Sequence, residues 1–334
     1  MDIDNEAEKL DCFYDEGNPN KAVTWFKDTP NIGASMRKIL CSTGALFLQT
    51  TPEKYVVLGD MADKLNCDGF EFMVDSTMYE NVKKLIQIVK PLRLWIPVVH
   101  CQKSLGESLC GMKAWFDETG YHEYRMTDEE DRKFFKKGIE CFWMNLEIAN
   151  AFGADKMVFH LWNGIVSDKN LSKNIERFGL LNDLAKASQV ELMIENVVCN
   201  NKNPLENMRS VHEAYPGTAF VFDTKMSEFH NQTMELFSPE WDWLLRKSLI
   251  SHMHINDYNG GYMDWSNLRT LPIGEGKIDF AGFFDKLAQY NYMGDFTVEA
   301  TAICRENDDV DYAMLNVCFD RIRNLVPEST ETIQ

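Results

Sequence analysis

The sequence predicts an α/β protein, a single-domain (β/α)8 TIM barrel with an N-terminal extension. Three observations predict it. From about residue 36, short runs rich in β-branched and aromatic residues alternate with longer amphipathic runs. Eight such βα units follow one another, and parallel strands need helical crossovers of this kind. The chain has 334 residues, and without its first 35 its length suits a barrel with loop insertions.

The elements follow in order. "RKILCSTGALF" reads as a first strand with a polar exit. In "TPEKYVVLGDMADKLN", Thr51 is placed to cap a helix and Pro52 to occupy its first position. "GFEFMV" is the second strand and "MYENVKKLIQIVK" its helix. "LRLWIPVVH" is the third strand, where Pro97 implies an irregularity because it cannot donate to a ladder. The loop beyond it carries Trp115, Phe116, Tyr121 and Tyr124. "TDEEDRKFFKKGIECFWMNLEIANAFG" is a long helix with an acidic first turn that suits the helix dipole. "DKMVFHLW" and "LSKNIERFGLLNDLAKAS" form the fourth unit, and "VELMIEN" and "PLENMRSVHEAY" the fifth. "TAFVFDT" and "PEWDWLLRK" form the sixth. "LISHMHIND", a long loop and "FAGFFDKLAQYN" form the seventh, and "DFTVEAT" and "DVDYAMLNVCFDRIRNLV" the eighth. The expected organisation is an extension over 1–35, a barrel over 36–325 and a tail over 326–334.

Composition narrows the function. A formal charge of −18 repels nucleic-acid phosphates and anionic membranes, so a small molecule is the expected partner. Nine cysteines are scattered without a CxxC pair, and the acidic first residues lack an apolar leader region. Both features predict a reducing, cytoplasmic setting. No run is long and apolar enough to cross a bilayer.

Barrels of this kind place chemistry at the C-terminal ends of their strands. Those positions hold Glu71, His100, His160, Glu195, Asp223, His254 and Glu299, where a packed interior would want Val, Ile or Leu. Glu195, Asp223, His254 and Glu299 stand on four successive strands. Three carboxylates around one imidazole are costly without a cation, so a divalent metal is expected among them. Oxygen-rich ligation with one imidazole favours Mn2+, with Mg2+, Co2+ or Zn2+ as alternatives. His252 lies two residues before His254, on the same face but deeper. His212 and His230 read as surface residues.

At "ELMIEN", "VFDT", "HMHINDY", "LPIGEGKIDF" and "FTVEAT" the sequence resembles the xylose-isomerase-like TIM-barrel superfamily, which includes the sugar phosphate isomerases and epimerases. The resemblance covers roughly residues 36 to 325 and is most specific at "HIND" followed by "GEGKIDF". It implies metal ligation by Glu195, Asp223, His254 and Glu299, with Glu195 and Glu299 as the acid/base pair. His160, Trp162 and Asn163 stand together after the fourth strand, where His160 is a candidate base and Trp162 a candidate surface for a sugar ring. His100, Trp162, Lys225 and His252 are the expected substrate-side residues, with His252 supporting the site and not binding metal. Met226 stands where many epimerases of the family carry a histidine.

The implied activity is a metal-dependent sugar isomerase or epimerase, which removes a proton next to a carbonyl through a metal-stabilised enediolate. The alternative is a lyase of the same superfamily, acting on a 3-keto sugar with His160 as base. It would resemble a C-glycoside deglycosidase catalytic subunit or an inosose dehydratase. The expected assembly is a homo-oligomer or a complex with a small partner subunit.

Overall fold

A computed structural model describes residues 37–48, 51–163 and 166–326. The expected extension over 1–35 lies outside the described residues, as does the expected tail beyond Val326. The strands are β1 Ile39–Ser42, β2 Gly69–Met73, β3 Val98–His100, β4 Met112–Asp117, β5 Gly120–Arg125, β6 Lys156–Phe159, β7 Glu191–Glu195, β8 Ala219–Asp223, β9 Ile250–His254 and β10 Asp295–Val298. Eight of them close into a barrel in the order β1-β10-β9-β8-β7-β6-β3-β2. Every neighbouring pair in it is parallel. The helical segments between consecutive strands supply the crossovers that parallel pairing requires. Among the described residues, no helix is long and apolar enough to cross a membrane.

Three local expectations are corrected. The segment after Thr51 starts as a 3-10 helix, Pro52–Val57, before the α-helix Leu58–Ala62, and the Thr51 side chain makes no cap bond. Its buried residues Pro52, Tyr55 and Leu58 recur every third position, the period of a 3-10 helix. The helix expected over "PEWDWLLRK" contracts to Trp243–Arg246, and Ser248 then takes a left-handed φ of 53° on the way into β9. The aromatic loop after the third strand contains a hairpin, β4 paired antiparallel with β5, and Trp115 stacks on His122 across it at 5.1 Å. Lys113, Trp115 and Tyr124 are exposed on one face of the hairpin and Tyr121, Glu123 and Arg125 on the other, unlike a strand with one side set into a core.

Elsewhere the local chemistry matches. Thr127 caps the helix Asp128–Phe152 in a reciprocal capping box with Glu130, and Gly153 ends it at φ 78°. Asn203 caps the helix Pro204–Ala214, with Pro204 in its first turn.

The interior of the barrel is separate from the large core between strands and helices. Leu40, Val98, Val158, Met193, Ala219 and Val221 form a second apolar cluster, fed by β1, β3, β6, β7 and β8. Two residues further along these strands come Ser42, His100, His160, Glu195 and Asp223, which therefore face inward as well. The sheet thus lays an apolar floor and sets a polar layer on it. Gly106 packs against the backbone of His160, and a Cβ there would fall inside contact of the His160 carbonyl oxygen. Gly106→Ala is expected to destabilise the protein by about 1–3 kcal/mol through overpacking. Chemical denaturation of the two proteins checks this, and an unchanged midpoint would show that the backbone yields freely.

Candidate metal centre

Ligand atoms of Glu195, Asp223, His254 and Glu299 lie within 4.8 Å of one another at the C-terminal end of the barrel. All four residues are buried, Glu299 least so at 8% exposure. Barrel closure brings them together. His254 is the Cα partner of Asp223 on one side and of Thr297 on the other. The pairing of β8 with β9 shifts register at Phe220/Val221, just below this rim.

His254 has two distinct faces. Its Nε2 lies 3.2 Å from Glu71 Oε2, and its Nδ1 lies 3.3 Å from Glu195 Oε1, 3.6 Å from Glu299 Oε2 and 4.0 Å from Asp223 Oδ2. An Nε2–H donated to Glu71 leaves Nδ1 to serve the three carboxylates. Burial alone would suppress the charge on His254, but Glu71, Glu299 and Glu195 outweigh it and hold its pKa well above the usual histidine value. Burial works against the charge of Glu195 too, yet His160, His254 and His100 keep its pKa well below the carboxylate range. Asp223 is pushed up to about 6 by burial, opposed by Lys225. Glu195 and Glu299 add to the upward push on Asp223, so the carboxylates repel one another in a buried site.

These residues fit a divalent cation. Glu299 Oε1 is buried with no hydrogen-bond partner among the described residues, and a cation would offset the burial cost and the mutual repulsion of these carboxylates. A second group, His100, His160 and Glu195, also brings its ligand atoms within 4.8 Å. His100 Nδ1 lies 2.7 Å from the Cys101 carbonyl, to which it can only donate. That points its Nε2 at Glu195 Oε2, 3.2 Å away, so two acceptors face each other unless a proton or cation lies between. His160 Nε2 meets the same oxygen at 2.7 Å. Glu195 could thus serve two ions.

Beneath this layer lies a relay. Glu71 Oε2 accepts from Thr297 Oγ1 at 2.9 Å, and His252 Nε2 reaches both Thr297 Oγ1 at 2.8 Å and Glu71 Oε2 at 3.1 Å. His252 is fully buried and bonded into this relay, so its expected place beside the substrate is corrected to one under the site. Glu71 orients the imidazole of a candidate ligand, an outer partner whose loss typically costs 10–100-fold in affinity. Glu71→Gln is expected to weaken Mn2+ binding by about that factor, 10–100-fold. Competition against a chromophoric chelator measures it, and unchanged affinity would remove Glu71 from the site.

Two asparagines adjoining strand ends hold the ligands in place. Asn196 Oδ1 accepts from Asp223 N at 2.6 Å, and its Nδ2 donates to Asp223 O at 3.1 Å, which carries the β7–β8 ladder past its end. Asn256 Oδ1 accepts from Glu299 N at 3.0 Å, while its Nδ2 donates to Asp223 Oδ2 at 3.1 Å and Glu299 Oε2 at 3.3 Å. A neutral amide therefore spans two candidate ligands. The adjacent Asp257 is not a ligand. Its Oδ2 accepts from Gly274 N and Gly276 N at 2.8 Å each, and its Oδ1 from Tyr258 N at 2.8 Å and Ile278 N at 3.2 Å. The spacing of "HIND" and "GEGKID" is a carboxylate folding a loop around itself. Gly274 supplies a φ of +86°, and Gly276 approaches too closely for a side chain.

The centre opens on a cavity of about 280 Å³ lined by residues that include Ser42, Gln102, Lys103, Thr270, Glu299 and Thr301. Lys225 does not line it but donates its Nζ to the lining residue Thr270, at Oγ1, 3.0 Å away. Other expected site residues sit elsewhere. Trp162 is 1% exposed and donates its indole N–H to the Val197 carbonyl at 2.7 Å, so it is a wall residue and not a surface for a sugar. His100 and His160 point at Glu195 and not into the cavity. His230 is buried, with Nε2 accepting from Cys199 N at 3.2 Å, which corrects its surface assignment. Lys103, Asn256 and Asp257 were missed as site residues. For Lys103 no sequence signal exists, because its position depends on the turn after β3.

A closed parallel barrel whose C-terminal rim gathers acids and imidazoles defines a TIM-barrel protein with a candidate metal centre. The model of the xylose isomerase-like TIM barrel family matches residues 60–315, and the chain belongs to that family. Among curated proteins, none matches the sequence. The solved structures similar to it include the 3-keto-D-glucoside 4-epimerase YcjR from E. coli, 17% identical over 86% of this chain and 100% of that one, with a TM-score of 0.58. A D-allulose 3-epimerase from Methylomonas sp. is 14% identical over 87% of this chain and 98% of that one, with a TM-score of 0.61. An IOLI protein with a bound zinc atom is 14% identical over 88% of this chain and 100% of that one, with a TM-score of 0.59. At these identities the likeness establishes the fold.

Proposed function

We propose that the protein is a divalent-metal-dependent epimerase or isomerase of a keto-sugar. The observation that carries this reading is the ring of Glu195, Asp223, His254 and Glu299 around one point, beside a cavity that Glu299 lines. When bound, a divalent cation there would polarise a substrate carbonyl and so acidify the neighbouring C–H.

The chain's own residues divide the remaining work. Glu299 has one oxygen, Oε2, held by Asn256, and the other, Oε1, without a hydrogen-bond partner among the described residues. It is suited to remove the proton. Glu195 Oε2 lies 2.7 Å from His160 Nε2 and 3.2 Å from His100 Nε2, and its Oε1 lies 3.3 Å from His254 Nδ1, so it is the partner carboxylate buried among imidazoles. Return of the proton to the opposite face gives epimerisation, and return to the adjacent carbon gives isomerisation. Similar solved structures include epimerases of a keto-glucoside and of D-allulose, which supports a keto-sugar as the substrate class. The lyase alternative has less support, because its base, His160, is directed at Glu195 and does not line the cavity.

The test is solvent exchange. The Mn2+-loaded protein is incubated in D2O with free, phosphorylated and 3-keto sugars, and deuterium at carbon is read by NMR. Incorporation with an inverted or isomerised product supports the reading. No incorporation into any of them, or release of an aglycone from a 3-keto C-glycoside, counts against it.

A further inference from the structure

Lys103 opens the 3-10 turn Lys103–Leu109, just beyond β3. Its side chain lines the cavity beside the candidate metal centre. Its Nζ makes no hydrogen bond and no ion pair with any described residue, so no carboxylate oxygen among them lies within 4.0 Å. Yet it interacts electrostatically with Glu299, Glu195, Asp223 and Glu71 together. The Lys103 side chain is exposed, and at neutral pH an exposed lysine amine is an ammonium.

An ammonium is a compact, strongly hydrated point charge with three donors. Here those donors face a cavity that also offers the hydroxyls of Ser42, Thr270 and Thr301 and the amide of Gln102. A second cation adjoins the same space, since Lys225 is bonded to Thr270. Asp75, the other acid lining the cavity, has its Oδ1 engaged by the amide and hydroxyl of Thr77, each at 2.9 Å. A ligand oxygen that replaces the water around Lys103 gains a charge-assisted hydrogen bond without breaking an existing ion pair. A wholly neutral sugar would offer that ammonium no charged partner of its own.

We propose that Lys103 is a substrate-contacting residue that binds a negatively charged group, a carboxylate or a phosphate, on the sugar this cavity takes. The proposal rests on reading the cavity as a sugar site. It makes Lys103 the residue that selects acidic sugars over neutral ones, with Lys225 supporting it.

The experiment is calorimetric and does not need turnover. Mn2+-loaded protein is titrated with D-sorbitol, with D-gluconate, which replaces one hydroxymethyl by a carboxylate, and with D-sorbitol 6-phosphate. The expected result is tighter binding of one anion than of sorbitol. In Lys103→Met that advantage falls by about 10–100-fold while sorbitol affinity stays within about twofold. Lys103→Arg retains a part of it. Which anion holds the advantage identifies the carboxylate or the phosphate as the group read. Equal binding of all three by the wild-type protein overturns the proposal. So does an advantage that survives in Lys103→Met, since the anion is then held by the metal ion alone. Loss of bound Mn2+ from Lys103→Met also overturns it, because Lys103 is then only a counter-charge for the carboxylates. Solvent exchange separates this from the broader reading. Lys103-dependent gluconate binding without exchange into any sugar leaves the anion site and removes the epimerase. Exchange into neutral ketoses alone, with no anion advantage, does the reverse.

Discussion

Glu299→Gln is expected to abolish exchange of the substrate's carbon-bound proton, lowering kcat by about 10²–10⁴-fold, the usual contribution of a positioned acid/base group. The replacement keeps the shape of the side chain but removes the basic oxygen. Asn256 can still face the remaining carbonyl, and the backbone bond from Glu299 N to Asn256 Oδ1 at 3.0 Å is untouched. The fold should therefore survive, and thermal unfolding of the metal-free protein checks that it does. Mn2+ content is measured in parallel, because Glu299 is also a candidate ligand. Excess Mn2+ that restores occupancy but not exchange assigns the loss to proton transfer. Exchange at the wild-type rate would place the base elsewhere and remove Glu299 from the chemistry.

The second large effect is on stability. Asp257→Asn is expected to cost about 3–5 kcal/mol, measured by chemical or thermal denaturation. Asp257 is fully buried, and each of its oxygens accepts from two backbone amides. Whichever way an asparagine amide is placed, its NH2 faces two of those N–H groups, which leaves buried donors unpaired. The loop it gathers also carries Thr270, the partner of Lys225 and a wall of the cavity. Asp257→Asn should therefore reduce sugar affinity as well as stability. An unfolding midpoint within about 1 kcal/mol of wild type would mean that the loop holds itself without the carboxylate, an ordinary surface-like outcome.

The two variants separate parts of one motif. "HIND" contributes a candidate ligand in His254, a spacer amide in Asn256 and a structural anion in Asp257. Two nearby acids, Glu299 and Asp257, thus differ in fate because one ends on the cavity and the other on four amides. Residue type alone does not separate them.

How much was legible follows from the range of the interactions involved. Strand order, the inward-facing layer and the quartet Glu195, Asp223, His254 and Glu299 were readable, because a period of two fixes the face and the βα alternation fixes the neighbour. The 3-10 start after Thr51 could have been found from the three-residue spacing of Pro52, Tyr55 and Leu58. The roles of Trp162 and His230 were not readable, since a wall and a cavity surface are built from the same residue types.

The sequence by itself determined the barrel, the floor of apolar side chains and the four strand ends that converge, because all of these depend on periodicity along the chain. Only the tertiary structure decided that His252 bonds to Glu71 and Thr297, that Asn256 ties two carboxylates together and that Lys103 lines the cavity without a hydrogen bond or ion pair to any described residue. Those outcomes depend on distances between segments far apart in sequence, and on which donors each buried group finds when the barrel closes.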